Sequence, residues 1–140
     1  MKDQPDTGQQ DTGRPFVVIM TTGKEDGGHR ATLGVSMALA SMAQGIETTI
    51  YMTGLGSVWA YSGGADGIHL QGFEPLELLL DEFIKMGGKM VVCATCLHGC
   101  ACSDASAAEG CSGSLRHGTL TAGLAYAVKT VRTGQGCVTF

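Results

Sequence analysis

The feature that most constrains this chain is a set of short, uninterrupted apolar runs. Residues 16–21 have the sequence FVVIMT and residues 89–93 the sequence KMVVC, so both runs have the length of a strand. Continuous apolar runs of this length are typical of strands buried on both faces of a parallel sheet. The β-branched and aromatic residues at 46–52 predict a further strand, and residues 137–140 predict a last one.

Helical periodicity separates these runs. Apolar residues recur at helical spacing over 29–44, over 75–86 and over 115–132, and glycines end the first two segments. The glycine-rich stretch 53–72 between them predicts a loop with a short strand at 68–70. Strands that alternate with helices predict a doubly wound α/β sheet with right-handed parallel crossovers.

The length of 140 residues predicts one domain. Residues 1–14 are polar, so we expect a disordered tail that is dispensable for folding, ahead of a folded domain at 15–140. The start of the chain lacks the apolar segment of a signal peptide, and no apolar run is long enough to span a bilayer. We therefore expect a cytoplasmic protein that does not enter a membrane, with thiols that are free, metal-bound or catalytic.

Charge narrows the classes of partner. Nine basic residues stand against 13 acidic ones, a net charge of −4, and this balance lacks the basic footprint of a nucleic-acid binder. Charged residues are only 16% of the chain, which favours an oligomer over a lone monomer. Trp59 and Tyr61 lie in the glycine-rich loop and are candidates for an interface, with a place in the core as the alternative.

Cysteines are concentrated in one segment. Five of the six fall within 19 residues: Cys93, Cys96, Cys100, Cys102 and Cys111. Cys93 ends a predicted strand, and ligands bind outside the carboxyl ends of such strands, near the point where the strand order reverses. Backbone N–H groups and a following helix would favour a thiolate there, and His98, Arg116 and His117 could add positive charge. Cys137, alone in the last predicted strand, is expected to be a buried structural residue.

The residues leading into this cluster point to a family. Residues 88–96 have the sequence GKMVVCATC, preceded by DGIHL at 66–70 and PLELLL at 75–80. This stretch resembles the YchN-like members of the DsrE/DsrF family of small sulfur-relay proteins, in which a buried strand ends in Cys-x-Thr-Cys and a short run closes on Arg-Gly. At the Arg-Gly position this chain has Cys100-Ala101.

The resemblance carries several implications. It implies a single α/β domain with a five-stranded, mainly parallel sheet flanked by helices, assembled as a homotrimer or homohexamer in the cytoplasm. It also implies a sulfurtransferase-like relay between sulfur-donor and sulfur-acceptor proteins with reactive thiols, without a cofactor. In that relay Cys93 holds sulfur as a persulfide and Cys96 is the second thiol. The residues leave another assignment open, in which Cys93 is buried and inert and Cys96 does the chemistry.

A metal site is the alternative interpretation of the cluster. Cys96, His98, Cys100, Cys102 and Cys111 supply soft ligands for zinc, copper(I) or an iron–sulfur cluster in a non-enzymatic metal-binding or scaffold protein. A weaker feature is the glycine-rich turn at 22–28. It precedes a helix and could cradle an anion, but the residues favour a flexible loop.

Overall fold

The computed structural model describes residues 14–99 and 114–140, without the side chain of His98. Five strands form one sheet in the order β4-β3-β2-β1-β5, and every neighbouring pair is parallel. The strands are β1 (Phe16–Met20), β2 (Thr48–Met52), β3 (Lys89–Cys93), β4 (Leu120–Ala122) and β5 (Gly136–Thr139). The predicted parallel α/β fold is confirmed.

Helices cover both faces of the sheet. Within the described residues the α-helices are α1 (His29–Ala43), α2 (Leu76–Lys85), α3 (Ala94–Gly99) and α4 (Leu124–Thr133). Helices α1 and α2 pack side by side on one face, α4 lies on the other, and α3 follows β3 directly. Two 3-10 helices, Lys24–Asp26 and Gly54–Ala60, replace parts of the predicted loops.

The main core lies between the sheet and the α1/α2 layer. Alternate residues of each strand point into it, as the pleat requires. The fully buried side chains there include Val18, Met20, Ile50, Met52, Val92, Val35, Leu76, Leu80 and Phe83. Trp59 joins this core from the 3-10 helix at Gly54–Ala60, and its indole N–H donates to the carbonyl of Thr22 at 2.8 Å. Trp59 and Tyr61 are therefore buried, which confirms the core role over the interface role for these two residues.

The opposite face has a much smaller core. Its buried cluster consists of Tyr51, Val91 and Cys93, with Ala122, Tyr126 and Ala127 packed against them, and Val17 of β1 is buried on the same face. Helix α4 has no buried residue at all. Cys137 on β5 is exposed, contrary to the prediction of a buried residue, because β5 is an edge strand in the described sheet.

Two sequence-based elements differ from the structure. Residues 68–70 form no strand, and Ile68 instead packs against Gly28, where an added Cβ would lie 2.4 Å from the Ile68 side chain. The predicted helix at 115–132 divides into β4 and α4, because Leu115 forms a bridge with Tyr61 and residues 120–122 pair with β3. Pairing along the sheet edge thus overrides a helical apolar pattern. Within the described stretches, no helix has the length and apolarity needed to cross a membrane.

Candidate functional site

Cys93 lies at the carboxyl edge of the sheet, where β3 ends. Its side chain is 0% exposed and points to the α4 face. On one side Cys93 pairs with Ala122 of β4 in the sheet. On the other side the last pair between β2 and β3 is Met52 with Val92, so the next residue, Thr53, lies beside Cys93. The predicted position at the carboxyl edge is correct. The strand order, however, reverses at β1, between β2 and β5, so the site lies away from that point.

Cys96 approaches the same place from the first turn of α3. It is partly exposed, and its Sγ lies 3.4 Å from the Thr53 hydroxyl oxygen. Its backbone N–H and its thiol both hydrogen-bond to the Cys93 sulfur. A six-residue helix that starts directly after the strand therefore brings the two predicted thiols together.

Two hydroxyl groups complete the surroundings of Cys93. Tyr51 and Thr53 follow each other at a spacing of two residues along β2 and its extension, so both face α4. Both hydroxyls lie within hydrogen-bonding reach of the Cys93 sulfur. The single proton of the Tyr51 hydroxyl is donated to the carbonyl of Ala122 at 3.2 Å, and rotation of the hydroxyl directs it to the sulfur when Cys93 is a thiolate. We call Cys93, Cys96, Tyr51 and Thr53 the thiol site.

The thiol site favours a thiolate on Cys93. Burial alone would raise the pKa of this thiol, but the hydrogen bonds from Cys96, Thr53 and Tyr51 outweigh burial and lower the pKa to about 7. Burial, the hydrogen bond to Cys93 and the nearby thiols raise the pKa of Tyr51, so its hydroxyl keeps its proton and remains a donor. A thiolate near neutral pH is the form of cysteine that acts as a nucleophile.

Sequence reasoning missed Tyr51 and Thr53. Both belong to a stretch, YMT, that looks like the end of any buried strand. Their role depends on β2 lying beside β3 in a register that sets Thr53 opposite Cys93, which a linear pattern does not contain. The detectable signal was two hydroxyl-bearing residues at a spacing of two, at the carboxyl end of a strand.

Arg116 does not reach the thiol site. Its guanidinium forms two hydrogen bonds with the Glu77 carboxylate, one of them at 3.1 Å, and its Nε donates to the carbonyl of Trp59 at 2.7 Å. Burial would raise the pKa of Glu77, but Arg116 and the N–H groups of Gly63 and Ala65 hold that pKa below its ordinary value. Arg116 therefore does not place its positive charge near the cysteines. It links Glu77 on α2 to Trp59 on the 3-10 helix at Gly54–Ala60.

The glycine-rich turn before α1 already holds carboxylates of the chain itself. The Asp26 carboxylate accepts hydrogen bonds from the N–H groups of Gly28 and Arg30, each at 3.0 Å. Glu25 accepts another from the Gly23 N–H at 2.8 Å. These N–H groups are therefore occupied, and the turn does not offer them to an external anion.

Most of the predicted metal ligands lie outside the described residues. Cys100, Cys102 and Cys111 belong to that part, as does the side chain of His98. In the part of the chain that the structure describes, no three His, Cys, Asp or Glu side chains are grouped so that they could hold a metal ion. The metal hypothesis therefore stays a prediction, and the structure brings together only Cys93 and Cys96 of the named residues.

Comparison with known proteins identifies the family. The sequence profile of the DsrE/DsrF-like family matches residues 16–124. The chain belongs to the DsrE/DsrF-like family. Its fold is similar to the crystal structure of the YchN protein from E. coli, with a TM-score of 0.66, 14% identity and coverage of 91% of this chain and 99% of that one.

A second solved structure shares the fold. The conserved protein of unknown function BT1422 from Bacteroides thetaiotaomicron aligns with a TM-score of 0.54 and 14% identity, over 89% of this chain and 94% of that one. No curated protein matches the sequence significantly. The family assignment and the five-stranded fold agree with the resemblance carried by the Cys93–Cys96 segment.

Proposed function

We propose that this protein is a sulfur carrier of the sulfurtransferase type, which holds sulfur as a persulfide on Cys93 and passes it to an acceptor thiol. The observation that supports the proposal most is the set of donors around the Cys93 sulfur: the Cys96 N–H and thiol, and the hydroxyls of Tyr51 and Thr53. Membership of a family of sulfur-relay proteins supports the same chemistry.

The proposed reaction is an exchange of sulfur between thiols. The outer sulfur of a donor persulfide, R–S–SH, is transferred to the Cys93 thiolate, and the donor leaves as a thiolate. An acceptor thiolate then attacks the outer sulfur of the Cys93 persulfide, and Cys93 leaves as a thiolate. The same hydrogen bonds that stabilise the attacking thiolate in the first step stabilise the leaving group in the second.

This chemistry defines the partners. Donor and acceptor are proteins that carry reactive thiols, and we place the relay in the cytoplasm, where a reducing environment keeps such thiols free. No cofactor enters either step.

We further propose that the chain assembles as a homotrimer or homohexamer. Helix α4 and the neighbouring strand β4 expose a row of apolar side chains: Leu120, Leu124, Val128 and Val131. Leu124 is 60% exposed and Val128 is 66% exposed. A contiguous apolar row of this kind on a folded protein marks an interaction surface, and a second copy of the chain is the partner that we propose.

Mass spectrometry tests the proposed function. After incubation with a persulfide donor and removal of the donor, we expect the wild-type protein to retain one sulfur, an increase of about 32 Da. Cys93→Ser should not retain it, whereas Cys137→Ser, which removes a described thiol elsewhere in the sheet, should retain it like wild type. Absence of sulfur on the wild-type protein, or equal retention by Cys93→Ser, would contradict the proposal.

A further inference from the structure

The two thiols of the thiol site differ sharply in access. Cys93 is 0% exposed and belongs to the buried cluster that includes Val91, with Ala122 and Tyr126 packed against it. Cys96, three residues further along the chain, is partly exposed. Exchange between a thiol and a persulfide requires the attacking sulfur to approach along the sulfur–sulfur bond. A thiol on the surface of another protein can make that approach to Cys96 but not to Cys93 in this conformation.

The two sulfurs are also in contact with each other and with one hydroxyl. The Cys96 thiol hydrogen-bonds to the Cys93 sulfur, and the Thr53 hydroxyl hydrogen-bonds to Cys93 and lies 3.4 Å from the Cys96 sulfur. A hydroxyl can rotate to donate to whichever neighbouring atom carries negative charge. Thr53 is therefore placed to follow a charge that moves between the two sulfurs.

We propose that Cys96 is the thiol that meets the donor, and that it hands the sulfur inward to Cys93. This inference rests on the proposed function and adds the order of its steps. In the first step the Cys96 thiol passes its proton to the neighbouring Cys93 thiolate, and the Cys96 thiolate attacks the outer sulfur of the donor persulfide, which gives Cys96–S–SH and a donor thiolate. The donor thiolate takes the proton from Cys93 as it leaves. In the second step the Cys93 thiolate attacks the outer sulfur on Cys96, and the Cys96 thiolate that leaves takes the proton of the new Cys93–S–SH, so that an anionic persulfide remains on Cys93. Two sulfur–sulfur bonds form and two break, and no oxidant or reductant is consumed.

The surroundings of Cys93 favour this direction of transfer. Three of its hydrogen-bond donors, the Cys96 N–H and the hydroxyls of Tyr51 and Thr53, stay in place when the outer sulfur has moved inward. They stabilise an anionic persulfide, while the packed apolar neighbours keep water and small reductants away from it. Sulfur on Cys96 lacks that protection because this residue is partly exposed.

A time course of loading tests the order of the steps. The full chain is mixed with a protein that carries a persulfide, the reaction is stopped by rapid alkylation at increasing times, and fragment-ion mass spectrometry locates the extra sulfur. We expect sulfur on Cys96 first and on Cys93 later. Sulfur that appears on Cys93 without an earlier stage on Cys96, or first on Cys100, Cys102 or Cys111, would overturn the inference.

Variants sharpen the test. In Cys93→Ser the sulfur should be found on Cys96 only at early times and should be lost once the donor is removed, because Cys96 is partly exposed, whereas loaded wild-type protein keeps its sulfur. In Cys96→Ser, loading of Cys93 from the protein donor should slow by more than about tenfold. Cys96→Ala repeats the test without a hydroxyl, and thermal melts check that both variants fold. Loading of Cys93 at the wild-type rate in these variants would overturn the inference while the proposed function stands. If wild-type protein takes up no sulfur at all, the proposed function fails first.

Discussion

The two faces of the sheet are built for different purposes. On the α1/α2 face, strands, helices and the 3-10 helix at Gly54–Ala60 together bury Val18, Ile50, Phe83 and Trp59 completely. On the α4 face the buried cluster consists of Tyr51, Val91 and Cys93, and α4 itself buries nothing. The comparison teaches that stability comes mainly from one layer, so the other layer can carry polar groups, a reactive thiol and exposed apolar surface.

Strand β2 connects the two faces. Its residues Ile50 and Met52 point into the large core, while Tyr51 points to the α4 face and contacts the Cys93 sulfur. Packing on one side therefore fixes the position of a hydrogen-bond donor on the other. A donor held by a rigid strand costs little reorganisation when charge develops on the sulfur.

The largest predicted effect compares one aromatic side chain on each face. Phe83→Ala on α2 removes a fully buried ring, and we expect the free energy of unfolding to fall by about 3–5 kcal/mol. Tyr126→Ala on α4 removes a partly exposed ring and should cost only about 1 kcal/mol. Urea unfolding of both variants measures the difference. Equal losses would show that the two faces contribute alike.

The next effect concerns the ion pair that joins α2 to the segment at Arg116. Glu77→Gln leaves a buried guanidinium without its charge partner, and we expect a loss of about 2–4 kcal/mol at neutral pH. Because the pKa of Glu77 is lowered in the folded state, its contribution is complete above the ordinary carboxyl pKa and disappears as the pH falls through the lowered value. Urea unfolding at several pH values should show the gap between wild type and variant closing in acid. A gap that stays constant with pH would contradict this account.

That ion pair also explains where sequence-based prediction of the fold failed. The strands and helices up to residue 93 could be predicted because their apolar periodicity agrees with their packing. The segment at 115–123 could not, because Arg116 donates its backbone N–H to Ala60 and its side chain to Glu77, 39 residues away. Long-range partners of this kind leave no trace in local periodicity.

The candidate site divides in the same way. Cys93 and Cys96 could be predicted because three residues separate them and the first ends a strand. Tyr51 and Thr53 could not, since they reach the sulfur only through the register of β2 against β3. Arg116 was expected to add positive charge near the cysteines, but the fold pairs its guanidinium with the Glu77 carboxylate instead.

A smaller effect concerns the charge on Cys93. Thr53→Val and Tyr51→Phe each remove one donor, so the pKa of Cys93 should rise from about 7 and less thiolate should be present at neutral pH. The ultraviolet absorbance of thiolate, taken as the difference between each variant and the same variant with Cys93→Ser, measures this change against pH. Thr49→Val is the matched control, because Thr49 lies on the same strand and the same face but nearer its start. An unchanged midpoint in both donor variants would remove Tyr51 and Thr53 from the thiol site.

The smallest effect on folding, and the sharpest test of the exposed face, comes from charge on α4. Leu124→Glu and Val128→Glu replace side chains that are 60% and 66% exposed, so each should change the free energy of unfolding of the single chain by no more than about 0.5 kcal/mol. If α4 contacts a second copy, the same changes bury unpaired carboxylates in that contact and should shift the assembly toward monomers. Leu78→Glu on α2 is the control, since Leu78 is similarly exposed, at 54%, but lies on the helix layer on the opposite face of the sheet. Light scattering should then show a smaller mass for the α4 variants and an unchanged mass for Leu78→Glu. A wild-type monomer, or equal dissociation by all three changes, would show that the apolar row on α4 is not the contact between copies.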